Sequence, residues 1–90
     1  MAYRWDARKA AANLEKHGVD FADAVLALED ELGLHRVDPF SIAEERWIGL
    51  GMDGLGRLLV VIYSHQDDVI RLISARVADP QERRQYEEGT

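Results

Sequence analysis

The stretch RLLVVIYSHQDDVIRLISA, residues 57–75, decides the reading of the fold. Arg57–Ser64 and Val69–Ala75 have the length and composition of β-strands, and His65-Gln66-Asp67-Asp68 between them is rich in turn-forming side chains. In the first run Leu58, Val60 and Ile62 alternate with Leu59, Val61 and Tyr63. Side chains of a strand point to opposite faces in turn, so both faces of this strand carry apolar groups and both must be covered. It is therefore expected at the centre of its sheet.

Working outward, Arg46–Met52 is a further strand, joined to the first through Asp53-Gly54-Leu55-Gly56, a hairpin connection. Leu34–Val37 has strand length as well. These runs predict an antiparallel meander of three to four strands. Beyond it, Asp79-Pro80-Gln81-Glu82 combines an N-cap, proline in the first helical turn and a glutamate three residues after the cap, which predicts a short C-terminal helix.

Toward the N-terminus, Tyr3–Trp5 is a short apolar start. Asp6 is placed to cap a helix that Gly18 ends in the left-handed conformation. Ala7, Ala10, Ala11 and Leu14 are expected to form its buried stripe, with Lys9, Asn13 and Lys16 on the polar side. Asp20 caps a second helix whose Phe21, Ala24, Val25 and Leu28 recur at helical spacing, and Gly33 breaks the pattern. The order is strand, two helices, antiparallel sheet and helix, an α+β fold.

Ninety residues make room for one domain, 1–90, and the 47% hydrophobic content can supply its core. With no cysteine, neither a disulfide nor a thiolate metal site nor a cysteine nucleophile is available. The N-terminus lacks the apolar run of a signal peptide, and Leu58–Tyr63 is too short to span a bilayer, so a soluble cytoplasmic protein is expected with no membrane partner. The net charge of −6 argues at first against phosphate binding. Its distribution answers the objection. Residues 1–19 hold four basic and two acidic side chains, residues 20–45 one and eight, and residues 46–90 six and seven. One face can thus be positive while the middle segment meets water or a basic partner.

Four ordered motifs run through the chain: W-D-x-x-K-A at Trp5–Ala10, N-x-x-K-H-G-V at Asn13–Val19, I-R-x-I-S-A-R at Ile70–Arg76 and E-R-x-x-Y at Glu82–Tyr86. Together they resemble the BrnT toxins. The resemblance implies a RelE-like fold and an endoribonuclease toxin of a type II toxin–antitoxin system that cleaves RNA and inhibits translation. It implies neutralisation by a BrnA-type antitoxin with a ribbon-helix-helix part, DNA being reached only through that antitoxin, with higher-order toxin–antitoxin assemblies a further expectation.

RNA cleavage without a metal needs a group to take the 2′-hydroxyl proton, another to protonate the leaving oxygen, and fixed cations for the developing charge; no cofactor is required. Arginine suits the last role through its permanent charge and planar fork. Arg71 and Arg76 are the first candidates. Their odd spacing sets them on opposite faces of a regular strand, so they share a side only across a bulge or at a strand end. Arg83 is placed to join Arg76; the plainer alternative is that these arginines pair with Glu82 or other acids. Glu45 as base and Arg46 as phosphate clamp open the first meander strand, and His17 titrates near neutral pH, although at a helix end it can equally serve the free carbonyls. Lys9, Lys16 and the Tyr86 hydroxyl are candidate phosphate contacts, against a solvated helix face for the lysines and ring packing for the tyrosine. Trp5 and Trp47 read as core. His35 and His65 lack partners at metal-ligand spacing. The acidic segment around Asp30 and Glu31 is an electrostatic match for a basic antitoxin arm. Net acidity and the lack of an obvious acid–base pair leave a second reading open: a non-catalytic partner module that acts with its antitoxin in DNA-bound repression.

Overall fold

The computed structural model describes residues 2–89. In chain order it contains β1 (Ala2–Arg4), α1 (Ala7–His17), α2 (Phe21–Leu28), β2 (Leu34–Val37), β3 (Trp47–Met52), β4 (Leu58–Gln66), β5 (Val69–Val77) and α3 (Pro80–Glu88). The strands form one sheet in the order β1-β5-β4-β3-β2, so β4 is central as its two apolar faces require. The four later strands are antiparallel neighbours, whereas β1 lies parallel to β5 and makes the sheet mixed. A parallel edge needs a crossover, which the chain makes through both N-terminal helices and the meander.

The helix ends follow the local chemistry. Asp6 Oδ1 accepts from the amides of Arg8 and Lys9, Asp20 from that of Ala22, and Asp79 closes a capping box with Glu82. Gly18 takes φ 70°, where a Cβ would be strained. The β4–β5 connection is tighter than expected: His65 and Gln66 remain in β4 and the turn is Asp67-Asp68, with Asp67 at φ 55°.

Two cores hold the layers together. On one face of the sheet Leu59, Val61, Tyr63, Ile70, Leu72 and Ala75 pack with Val19, Phe21, Ala24 and Ala27. The α2 backbone sits close on β3 because residue 51 is glycine; a Cβ there would run into the Ala27 carbonyl. On the other face Leu50, Leu58 and Val60 pack with Leu34, Met52, Ala78 and Tyr86 beneath α3. Burial of these apolar surfaces is the main stabilising term.

The expected stripe of α1 is corrected. Ala7, Ala11 and Leu14 are exposed, and the side that meets the sheet carries Ala10, Asn13 and His17, with Asn13 buried. An apolar pattern made mainly of alanine is a weak guide to the docking face, because alanine gains little from burial. Trp47 packs against the first core, and Trp5, 38% exposed, meets the edge of Phe21 at a centroid distance of 6.1 Å.

Candidate functional site

The pairing register places side chains in rows across the sheet. Arg4 lies beside Arg71, and Arg71 beside Ser64. The β2–β3 ladder continues one step past its strands, with the Asp38 amide donating to the Arg46 carbonyl at 2.7 Å, and the β3–β4 register extended by the same step sets Arg46 opposite Ser64. The next row is Arg36, Ile48, Ile62 and Ser74. Leu34, Leu50, Val60 and Arg76 make the row after that. Because Leu50 and Val60 belong to the α3-side core, all three rows face that side.

Arg71 and Arg76 share this face through an irregularity in the ladder. Ile62 pairs with Ser74 but Tyr63 pairs with Leu72, so Ile73 is an extra residue and the alternation of β5 resets there. The bulge removes the obstacle of their odd spacing. The two arginines nevertheless stand two rows apart, roughly 13 Å along the strand.

Their environments also differ. The Arg76 guanidinium makes a two-pronged bond to Glu82, Nη1 to Oε1 and Nη2 to Oε2 at 2.8 Å each, while Glu82 Oε1 also accepts from the Asp79 amide. This pairing raises the Arg76 pKa and lowers that of Glu82. Arg76 therefore fastens the start of α3 to the sheet, the internal pairing that was the alternative to a free site arginine. Arg83 is exposed, and among the described residues its side chain forms no bond that joins it to Arg76. Arg57 is committed as well, to Asp53, Asp23 and the Gly18 carbonyl. In contrast Arg4, Arg36, Arg46 and Arg71 are exposed, and among the described residues none of them forms an ion pair.

Arg4, Glu44, Ser64, Gln66, Asp67, Val69 and Arg71 line an open cleft of about 290 Å³ beyond the edge covered by α3. Glu44 and Asp67 are the carboxylates that line it, whereas the predicted Glu45 is not among its lining residues. Arg4, Arg36 and Glu44 escaped the sequence reading. The first two become visible only through strand register; adjacency to the predicted Glu45 was the sole signal for Glu44.

Lys9, Lys16 and His17 come together elsewhere, around a groove of about 210 Å³ that α1 makes with Ile73 and Ser74 of β5. No residue lines both this groove and the Arg71 cleft. His17 is thus grouped with the two lysines rather than with the arginines.

Two expected surface contacts prove to be internal. The Tyr86 hydroxyl donates to Asp30 Oδ2 at 2.6 Å and its ring packs in the second core. Asp30 also accepts from the amides of Met52 and Leu32, joining α3, β3 and the end of α2. Burial works to raise the Asp30 carboxyl, but the bonds from Tyr86, Met52 and Leu32 outweigh it and hold the pKa below its usual value. Asp30 is therefore not a free docking contact, whereas Glu31 is exposed. On the opposite face His35 Nδ1 meets the Tyr63 hydroxyl at 2.9 Å, and burial lowers the histidine and raises the tyrosine. No helix among the described residues is long and apolar enough to cross a membrane.

Comparison with known proteins gives a consistent picture. Residues 5–82 match the family described as "Ribonuclease toxin, BrnT, of type II toxin-antitoxin system". The fold is similar to the 1.1 Å crystal structure of the Brucella abortus ribonuclease toxin, BrnT. That match has 28% sequence identity and a TM-score of 0.64, and covers 88% of this chain and 99% of that one. No curated protein matches the chain.

Proposed function

The chain belongs to the BrnT family of ribonuclease toxins of type II toxin–antitoxin systems, and from that membership we propose that it is a single-domain endoribonuclease that cleaves RNA on the open face of its sheet without a metal. The observation that carries this reading is the set of unpaired arginines. In a chain of net charge −6, Arg4, Arg46 and Arg71 stand in one row beside an open cleft, and among the described residues none of them forms an ion pair. A fold gains no packing from leaving guanidinium groups in this way, and phosphate oxygens are their natural complement.

In this reading the arginines hold the scissile phosphate and stabilise the charge that grows on its oxygens. The 2′-hydroxyl oxygen attacks the adjacent phosphorus, the bond to the 5′-oxygen breaks, and a 2′,3′-cyclic phosphate and a 5′-hydroxyl result. The base takes the 2′-hydroxyl proton, and Glu44 within the cleft is better placed for this than Glu45. A second group protonates the departing 5′-oxygen. Lys9, Lys16 and His17 bind a more distant part of the strand. Arg76 acts by positioning α3.

Cleavage of this kind in the cytoplasm inhibits translation, and a ribbon-helix-helix antitoxin of BrnA type relieves it. The test is cleavage of RNA, with and without ribosomes, by purified protein in excess EDTA, alongside Arg71→Ala with its fold checked by circular dichroism. Cleavage by the parent and its loss in the variant are expected. Intact RNA in every lane with folded protein sinks the reading and favours the non-catalytic partner module; cleavage that EDTA abolishes sinks the metal-free chemistry.

A further inference from the structure

The segment joining β2 to β3 presents Phe40 and Ile42 to solvent at 86% and 99% exposure. Side chains of this size normally contribute by being buried, each worth about 1.5–3 kcal/mol when fully removed from water. Their exposure is built into the loop. The Asp38 carboxylate accepts from the Phe40 amide at 3.0 Å, the Ser41 hydroxyl donates to the Asp38 carbonyl at 2.9 Å, and the Asp38 amide closes the loop on Arg46 at 2.7 Å. The two apolar groups are thus held outward by a fixed turn, next to the 41% exposed Val37 at the end of β2.

Local charge identifies what fits there. Asp38 and Glu44 line one hollow with Phe40 and Ile42, against Arg46 alone. A protein segment carrying apolar side chains flanked by Lys or Arg matches both the exposed apolar groups and the excess of acid. Glu44 lines the hollow of this loop and also the cleft of Arg4 and Arg71. An occupant of the loop therefore borders directly on the cleft.

We propose that Phe40 and Ile42 are the anchor for the protein antitoxin, which docks a basic, apolar segment on this loop and thereby closes the Arg4–Glu44–Arg71 cleft to RNA. The proposal rests on the toxin–antitoxin reading but not on catalysis by this copy. Neutralisation is then competitive: bound RNA and bound antitoxin exclude each other.

The experiment is titration calorimetry of the full chain against the antitoxin encoded with it, for the parent, Phe40→Ser/Ile42→Ser and the single variant Ile42→Ser, with thermal unfolding as the fold check. Ile42 is 99% exposed, so that single variant keeps the fold even if the double one does not. Loss of apolar anchors predicts affinity lower by on the order of 100-fold in the double variant and about 10-fold in the single one. RNA cleavage in the absence of antitoxin stays at the parental level, and antitoxin no longer suppresses it. Affinity within about threefold of the parent in both variants overturns the proposal. So does intact antitoxin binding combined with lost RNA binding, which assigns the loop to RNA. Because calorimetry does not depend on cleavage, failure of the nuclease reading and failure of this docking site register separately.

Discussion

The Asn13 side chain pairs with Ala75 as a neighbouring strand would. Its Nδ2 donates to the Ala75 carbonyl at 2.9 Å and its Oδ1 accepts from the Ala75 amide at 3.0 Å, while Nδ2 also donates to the Val19 carbonyl at 3.0 Å. β1 pairs with β5 only from Val69 to Arg71, so among the described residues the outer edge of β5 beyond the bulge has no strand partner. One carboxamide on α1 satisfies that edge at Ala75 and ties it to the start of α2. Asn13→Ala leaves these buried backbone groups without partners and is expected to lower stability by about 2–4 kcal/mol in urea unfolding. Asn13→Asp, which can accept from the Ala75 amide but sets a carboxylate against two carbonyls, is expected to cost more at neutral pH than at pH 4. A cost below about 0.5 kcal/mol for Asn13→Ala excludes this role.

Asp30, Asp53 and Glu82 all have pKa values held below their ordinary ones by hydrogen bonds that outweigh burial or, for Glu82, by its Arg76 partner first. A carboxylate depressed in the folded state contributes stability that is fully present above its unfolded pKa and is lost as pH falls through the folded one. These carboxylates are therefore expected to withdraw stability below about pH 4, after the depressed His35 has begun to do so below about pH 6.5. Tyr86→Phe removes one of the bonds to Asp30; a loss of about 1 kcal/mol at pH 7 is expected, shrinking as the solution is acidified. A difference between parent and variant that grows toward low pH contradicts the assignment.

The two strand arginines are expected to fail in different ways when truncated. Arg71→Ala keeps the fold and lowers kcat/KM for RNA by about 100-fold or more, the range for removing a fixed donor from a developing charge. Arg76→Ala chiefly loosens α3. With the Arg76 side chain 43% exposed, a double-mutant cycle with Glu82→Gln is expected to give a coupling of about 1 kcal/mol or less, and cleavage at low temperature falls less than in Arg71→Ala. Equal kinetic losses with unchanged stability would place Arg76 in the chemistry.

Glu44→Gln and Glu45→Gln separate two neighbouring carboxylates. If Glu44 takes the proton, its variant loses about 100-fold or more in kcat and the acid limb of the pH–rate profile with it, whereas Glu45→Gln stays within a few-fold. The reverse pattern returns the role to Glu45.

Lys9→Gln/Lys16→Gln tests the second groove. Loss of two contacts to a single strand predicts a salt dependence of RNA affinity shallower by about 1.4 in log–log slope, with cleavage at saturating RNA little changed. An unaltered slope removes α1 from the RNA path.

Much of the fold was legible in the residues. Asp6, Asp20 and Asp79 announced their helices, Gly18 ended one, and the doubly apolar β4 declared its central place. Each of these signals acts over a few residues: a carboxylate bonds amides two or three positions on, and strand geometry alternates side chains. The resemblance to BrnT toxins also rested on residues already present in the sequence, and residues 5–82 match that family.

The tertiary structure decided the rest, because the causes lie far apart in the chain. Asn13 read as a polar surface residue until Ala75, on a different element, met its carboxamide. Asp30 read as a surface group, and Tyr86 as either a phosphate contact or a packed ring, until the fold joined them. Arg71 and Arg76 read as facing opposite sides, and the single extra residue Ile73 turned them to one. Arg4 and Arg46 entered the same row only when β1 paired with β5 and β3 with β4. Local hydrogen bonding and periodicity are properties of sequence; which cation stands beside which is a property of register, and register is set by the packing of the whole sheet.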